Sequence, residues 1–92
     1  MDISDNFYAL TKEQQTFMID WLKENFTPIS SINTQHTAYG LKQKFSRLNF
    51  YVSNKQFVTA MELAGFRVEE EAGKDEGYFR FNISQKSKFF KV

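Results

Sequence analysis

Ser53-Asn54-Lys55-Gln56-Phe57-Val58-Thr59-Ala60-Met61-Glu62-Leu63-Ala64-Gly65-Phe66-Arg67-Val68-Glu69 contains both a helix and the start of a strand. Ser53 and Gln56 stand three residues apart, the spacing of a capping box, in which each side chain serves the other's backbone N–H. Phe57, Val58, Met61 and Ala64 then form an apolar stripe with helical period. Gly65 suits the left-handed position just past a helix end, and Phe66 behind it supplies the apolar contact of a Schellman motif. Beyond Gly65 the period changes: Phe66 and Val68 alternate with Arg67 and Glu69, as a strand requires.

Toward the C-terminus, Glu71-Ala72-Gly73-Lys74-Asp75-Glu76-Gly77 is rich in turn formers, and Phe79, Phe81 and Ile83 alternate with Tyr78, Arg80 and Asn82. The two alternating runs make a hairpin. Toward the N-terminus, Thr11 and Gln14 form another capping box ahead of Phe17, Met18, Trp21, Leu22 and Phe26, a helical stripe that stops before Pro28. Ile29-Ser30-Ser31-Ile32 reads as a connector or a very short strand. A middle helix begins near Thr37, with Ala38, Leu41, Phe45 and Leu48 on one face and Lys42, Lys44 and Arg47 largely off it. Gly40 weakens that helix slightly and reads either as tight packing against a neighbouring helix or as close approach to a ligand.

An isolated two-stranded hairpin is marginal in water, so Phe79, Phe81 and Ile83 must cover the helices. The expected fold is α+β: a winged helix-turn-helix of three helices followed by a β-hairpin wing. It forms one domain over residues 1–92, with a loose N-terminus over 1–10 and a basic tail over 85–92. Trp21 is expected to be buried by the hairpin or the other helices. Phe89 and Phe90 are expected to fold back onto the first helix.

At 92 residues the chain is too short for two cores, and its 11 Phe supply ample apolar area for one. The absence of cysteine removes disulfides and thiolate metal sites and fits a reducing compartment. The acidic start Met1-Asp2-Ile3-Ser4-Asp5 does not read as a signal peptide, and no apolar run approaches the ~20 residues of a membrane span. The expected location is the cytoplasm. His36 is the only histidine, which excludes Cys–His catalysis and multi-histidine metal sites; it reads as a polar surface or capping residue. There is no nucleophile-elbow, P-loop or dinucleotide pattern. Glu69, Glu70, Glu71, Asp75 and Glu76 do not reproduce the ligand spacing of a calcium loop. A non-enzymatic protein without cofactor or metal is expected.

The net charge of +1 hides a segregated distribution. Residues 34–68 hold Lys42, Lys44, Arg47, Lys55 and Arg67 against Glu62 alone, and residues 78–92 hold Arg80, Lys86, Lys88 and Lys91 with no acid. Residues 1–33 and 69–77 are net acidic. Such blocks fold readily into one basic and one acidic face. With Phe57, Met61 and Ala64 turned inward, Asn54, Lys55, Gln56 and Thr59 are the expected outward residues at the start of the third helix, with side chains suited to base edges. Thr37, Tyr39, Lys42 and Lys44 on the second helix and Lys86 and Lys88 in the tail complete the expected DNA surface.

The runs Tyr39-Gly40-Leu41-Lys42, Tyr51-Val52-Ser53-Asn54-Lys55-Gln56-Phe57, Ala60-Met61, Ala64-Gly65-Phe66 and Ile83-Ser84-Gln85-Lys86-Ser87 also resemble a small module of bacterial phages and mobile elements, over residues 34–90. That module occurs alone and as the C-terminal segment of phage primase-helicases. The resemblance implies a winged-helix DNA-binding role in a phage or mobile element of a bacterial host cell. Joined to the fold reading, it gives an expected DNA-binding protein acting in replication or transcriptional control, with duplex favoured over single-stranded DNA and no membrane partner. The acidic hairpin departs from this pattern. Either its tip points off the duplex, or the protein is an interaction module, an adaptor, inhibitor or homodimer that uses the acidic hairpin and aromatic tail.

Overall fold

Each helix begins at a side-chain cap that the sequence carries. In the computed structural model, which describes residues 6–70 and 78–91, α1 (Lys12–Asn25) opens with Thr11 and Gln14 exchanging two bonds of 3.0 Å. Thr37 caps α2 (Ala38–Leu48), and Ser53 with Gln56 closes the box of α3 (Asn54–Leu63). The end of α3 is a full Schellman motif. Gly65 takes φ of 97°, its N–H reaches Glu62 O, and the Phe66 N–H reaches Met61 O, both at 3.0 Å.

Strands β1 (Val68–Glu70) and β2 (Phe79–Phe81) pair antiparallel, with Val68 opposite Phe81 and Glu70 opposite Phe79. The acidic tip, with Glu71, Asp75 and Glu76, lies outside the described residues. The connector after α1 joins this hairpin as a single bridge between Pro28 and Ile83. Bonds from Ile29 N–H to Asn82 O (3.0 Å), Ser84 N–H to Thr27 O (2.8 Å) and Asn33 N–H to Phe81 O (2.8 Å) continue the contact. Asn82 ties the edges together, accepting from Arg67 N–H at 2.7 Å and donating to Ile29 O at 2.9 Å. The described residues therefore form an α+β arrangement of three helices followed by a two-stranded antiparallel hairpin.

Met18 and Leu22 of α1, Leu41 and Phe45 of α2, Phe57 and Met61 of α3, and Phe81 and Ile83 of the hairpin segment meet in one buried core. Residues 6–10 and 84–91 join it, which corrects the expectation of a loose segment before α1 and agrees with the expected fold-back of Phe89. Residues 6–10 are not loose: Asn6 caps a 3-10 turn over Phe7–Ala9, Phe7 is buried, and Gln56 Nε2 holds Asn6 O at 3.1 Å. Nor is the C-terminal segment only a basic tail. A 3-10 turn over Lys88–Lys91 puts Phe89, 1% exposed, in a 4.4 Å stack on Phe26. Buried Ser87 accepts from Thr27 N–H at 2.9 Å and donates to Ser84 O at 2.7 Å.

Trp21 is half-buried, edge-on to Phe45 at 5.1 Å and to Phe89 at 5.8 Å. It is thus covered by α2 and the C-terminal turn. Phe17 and Leu48, both expected on buried stripes, remain 45% and 47% exposed. Phe17 lies about 100° around the helix from fully buried Met18, so it flanks the stripe. His36 is not a plain surface residue either, because its ring stacks on Phe90 at 4.4 Å. Gly40 meets no tight neighbour: a Cβ there would find only Thr37 Oγ1, at 3.9 Å.

Candidate nucleic-acid interface

On α3 the residues grouped by sequence separate by face. Gln56 is 4% exposed and fully engaged in its capping box and in holding Asn6, so it does not present its amide to a partner. Asn54 and Thr59 are half-buried, and Lys55 stands in solvent. Lys55 and Thr59 are one turn apart and share the outward face, which continues to exposed Glu62 and Leu63. The cation is therefore confined to the first turn of α3, with the acid near its end.

The expected cations of α2 are drawn inward, which is the main correction to the sequence-derived surface. Lys44 Nζ donates to Phe89 O at 2.7 Å and sits 4.8 Å from that ring's centroid, so it fastens the C-terminal turn. Lys42 is buried beneath Tyr39 and Tyr51, with Nζ 5.3 and 4.7 Å from their centroids. Thr37 serves as the α2 cap through a long 3.5 Å bond to Gly40 N–H. Tyr39 remains on the surface, its hydroxyl accepting from Gln43 Nε2 at 3.0 Å. Lys side chains carry long apolar stems that cover hydrophobic surface, which is how a basic helix face comes to be partly interior.

Arg67 and Arg80 are also engaged, with Ser30 O at 3.0 Å and with Thr34 O. These bonds hold the connector against the hairpin. Lys86 is exposed, and Lys88 lies 3.6 Å from Glu24 across open surface beside α1, a pair that solvent weakens strongly. The structure brings Tyr39, Lys42 and Tyr51 together and sets Lys55 on the neighbouring α3. It does not join them to Lys44, which is committed to the C-terminal turn.

One surface had no sequence signal. Phe17, Leu48 and Phe50, with Glu13, Gln14 and Asn49, line an open apolar groove of about 410 Å³. Periodicity placed Phe17 and Leu48 in the core and gave no reason to set them side by side outside it. No described helix is long and apolar enough to cross a membrane. No family model, curated protein or solved structure matches the chain.

Proposed function

We propose that this chain is a winged-helix DNA-binding protein of a phage or mobile element, acting in replication or transcriptional control and engaging duplex DNA through the first turn of α3. The observation that carries the reading is the outward face of that helix. With Gln56, Phe57 and Met61 turned in, Lys55 and Thr59 are presented at the N-terminal end, the end of a recognition helix that meets base edges. Lys donates to guanine acceptors, and Thr either donates or accepts. The order of helix, bridge, helix, helix and hairpin supports the same reading, since a winged helix-turn-helix carries its hairpin directly after the third helix. Titration of duplex DNA at two salt concentrations tests it. Binding tighter than the ~10⁻⁴ M limit of weak non-specific association, with a negative salt slope, is expected. Binding no tighter than that limit would remove the proposal.

A second reading, self-association, is favoured by the groove at Phe17. The exposed face of α1 carries Lys12, Glu13, Thr16, Phe17, Asp20, Lys23 and Glu24. Set antiparallel to a second copy about residue 18, it places Lys12 against Glu24 and Glu13 against Lys23, with Phe17 near the twofold axis. A closed isologous dimer needs such self-complementarity. The mass in solution decides: a dimer dissociated by Phe17→Ser supports this reading, and a monomer at high concentration removes it.

A further inference from the structure

Lys42 is 6% exposed, and among the described residues its ammonium has neither a hydrogen-bond acceptor nor an ion-pair partner. What surrounds it is aromatic: the rings of Tyr39 and Tyr51, 5.3 and 4.7 Å away. The ring faces attract the charge but offer no lone pairs to its three N–H donors. The Lys42 stem is buried while its Nζ keeps contact with solvent, so an added anion can reach the charge and supply the acceptors that the rings lack. The backbone also favours an anion there. A helical side chain runs back toward the N-terminus of its helix, and the contact of Lys42 with Tyr39 places the ammonium over the first turn of α2. There the helix dipole is positive and backbone N–H groups lack helical acceptors, while the Thr37 cap reaches Gly40 N–H only at 3.5 Å.

The two rings define what accompanies the anion. Tyr51 is 72% exposed and Tyr39 56% exposed, so each keeps aromatic surface open to solvent beside the ammonium. An anion flanked by a flat aromatic surface is the recognition pattern of a nucleotide, with phosphate on the cation and base on the ring. We propose that Tyr39, Lys42 and Tyr51 form a subsite for an unpaired nucleotide of a nucleic-acid strand, its phosphate on Lys42 and its base stacked on Tyr51. The inference rests on the DNA reading above and deepens it. Tyr51 lies four residues before Lys55, at most about 14 Å along an extended chain, so a strand leaving a duplex at α3 meets the subsite directly.

The test compares a short oligothymidylate, a duplex, thymidine monophosphate and inorganic phosphate, each titrated onto the whole chain and onto Tyr51→Ala, Tyr51→Phe and Lys42→Met. At its exposed position Tyr51→Ala leaves the fold intact, as a thermal melt will show. Oligothymidylate binding is expected to fall by about 5- to 150-fold in Tyr51→Ala, the loss of one base stack, and to persist in Tyr51→Phe. Lys42→Met lowers the single-strand salt slope by about 0.7 unit, one phosphate's share. Duplex affinity changes little in either. Oligothymidylate affinity unaltered by Tyr51→Ala, or a salt slope unaltered by Lys42→Met in a folded protein, overturns the subsite. Thymidine monophosphate binding as tightly as the oligomer overturns the strand assignment in favour of a free nucleotide, and phosphate binding as tightly overturns the base stack. Oligothymidylate binding that needs Tyr51 and Lys42 in a protein that ignores duplex DNA upholds the subsite while removing the role of α3.

Discussion

The third helix and the C-terminal segment from Ser84 to Lys91 are both short and both carry exposed lysines, yet they acquire order by opposite routes. The capping bonds at both ends of α3 lie within residues 53–66: the box of Ser53 and Gln56 at one end, Gly65 and Phe66 at the other. The C-terminal segment is held by partners far away in sequence, Thr27 on Ser87, Lys44 on the Phe89 carbonyl and Phe26 under the Phe89 ring. Two lysines of the expected DNA surface separate along the same line. On α3, Lys55 faces solvent, whereas Lys44 is consumed in fixing the C-terminal turn. A lysine in a basic block is thus an interaction residue or a structural one according to what long-range packing does with its stem.

The sharpest way to break this contrast is Phe89→Ala. Its ring is buried against Phe26 and Trp21, so truncation should destabilise the domain by ~3–5 kcal/mol, a large share of a small domain's stability. Chemical denaturation would measure it. A near-neutral variant would restore the segment to a separable basic tail. Removing residues 85–92 should likewise lower the melting temperature sharply.

Ser87→Ala comes next. It removes the acceptor for Thr27 N–H and the donor to Ser84 O in a fully buried place, for an expected loss of ~1–3 kcal/mol. Asn33→Ala probes the same long-range stitching. Its amide donates to Ile83 O at 3.1 Å and Gln85 Oε1 at 2.8 Å and accepts from Gln35 N–H at 2.8 Å, so a loss of similar size is expected.

These local and distant contacts account for what was legible in the sequence. The two capping boxes, the glycine stop, the helical stripes and the alternation in Phe79, Phe81 and Ile83 are short-range rules, and each produced the element it implied. Phe17 and Leu48 were misplaced because a periodic stripe gives a face but not its width. The burial of the Lys42 stem was not legible because nothing near it in sequence shows that Tyr51 folds over it. Gln56 illustrates a rule applied twice: the capping box was correct, and that same box is why the amide is withdrawn from the surface. The Pro28 bridge, the engaged arginines and the docked ends depend on partners dozens of residues away, which no local pattern encodes.

Gly40→Ala gives a smaller effect, of opposite sign. The added Cβ meets only Thr37 Oγ1 at 3.9 Å, so α2 should gain about 0.5–1 kcal/mol from reduced backbone freedom in the unfolded chain. A loss instead would show that the first turn of α2 depends on the glycine backbone.

Lys55→Ala should have the smallest effect on stability, within about 0.5 kcal/mol, because the side chain stands in solvent. That neutrality makes it the most direct test of duplex engagement by α3. Duplex affinity of the native chain and of Lys55→Ala would be measured across a salt series. Weaker binding is expected in the variant, with the salt slope reduced by about 0.9 unit if Lys55 meets a phosphate, or a loss of ~1–3 kcal/mol at the preferred sequence with little change in slope if it meets a base. Identical affinity and identical salt dependence in the two proteins would contradict duplex engagement by α3.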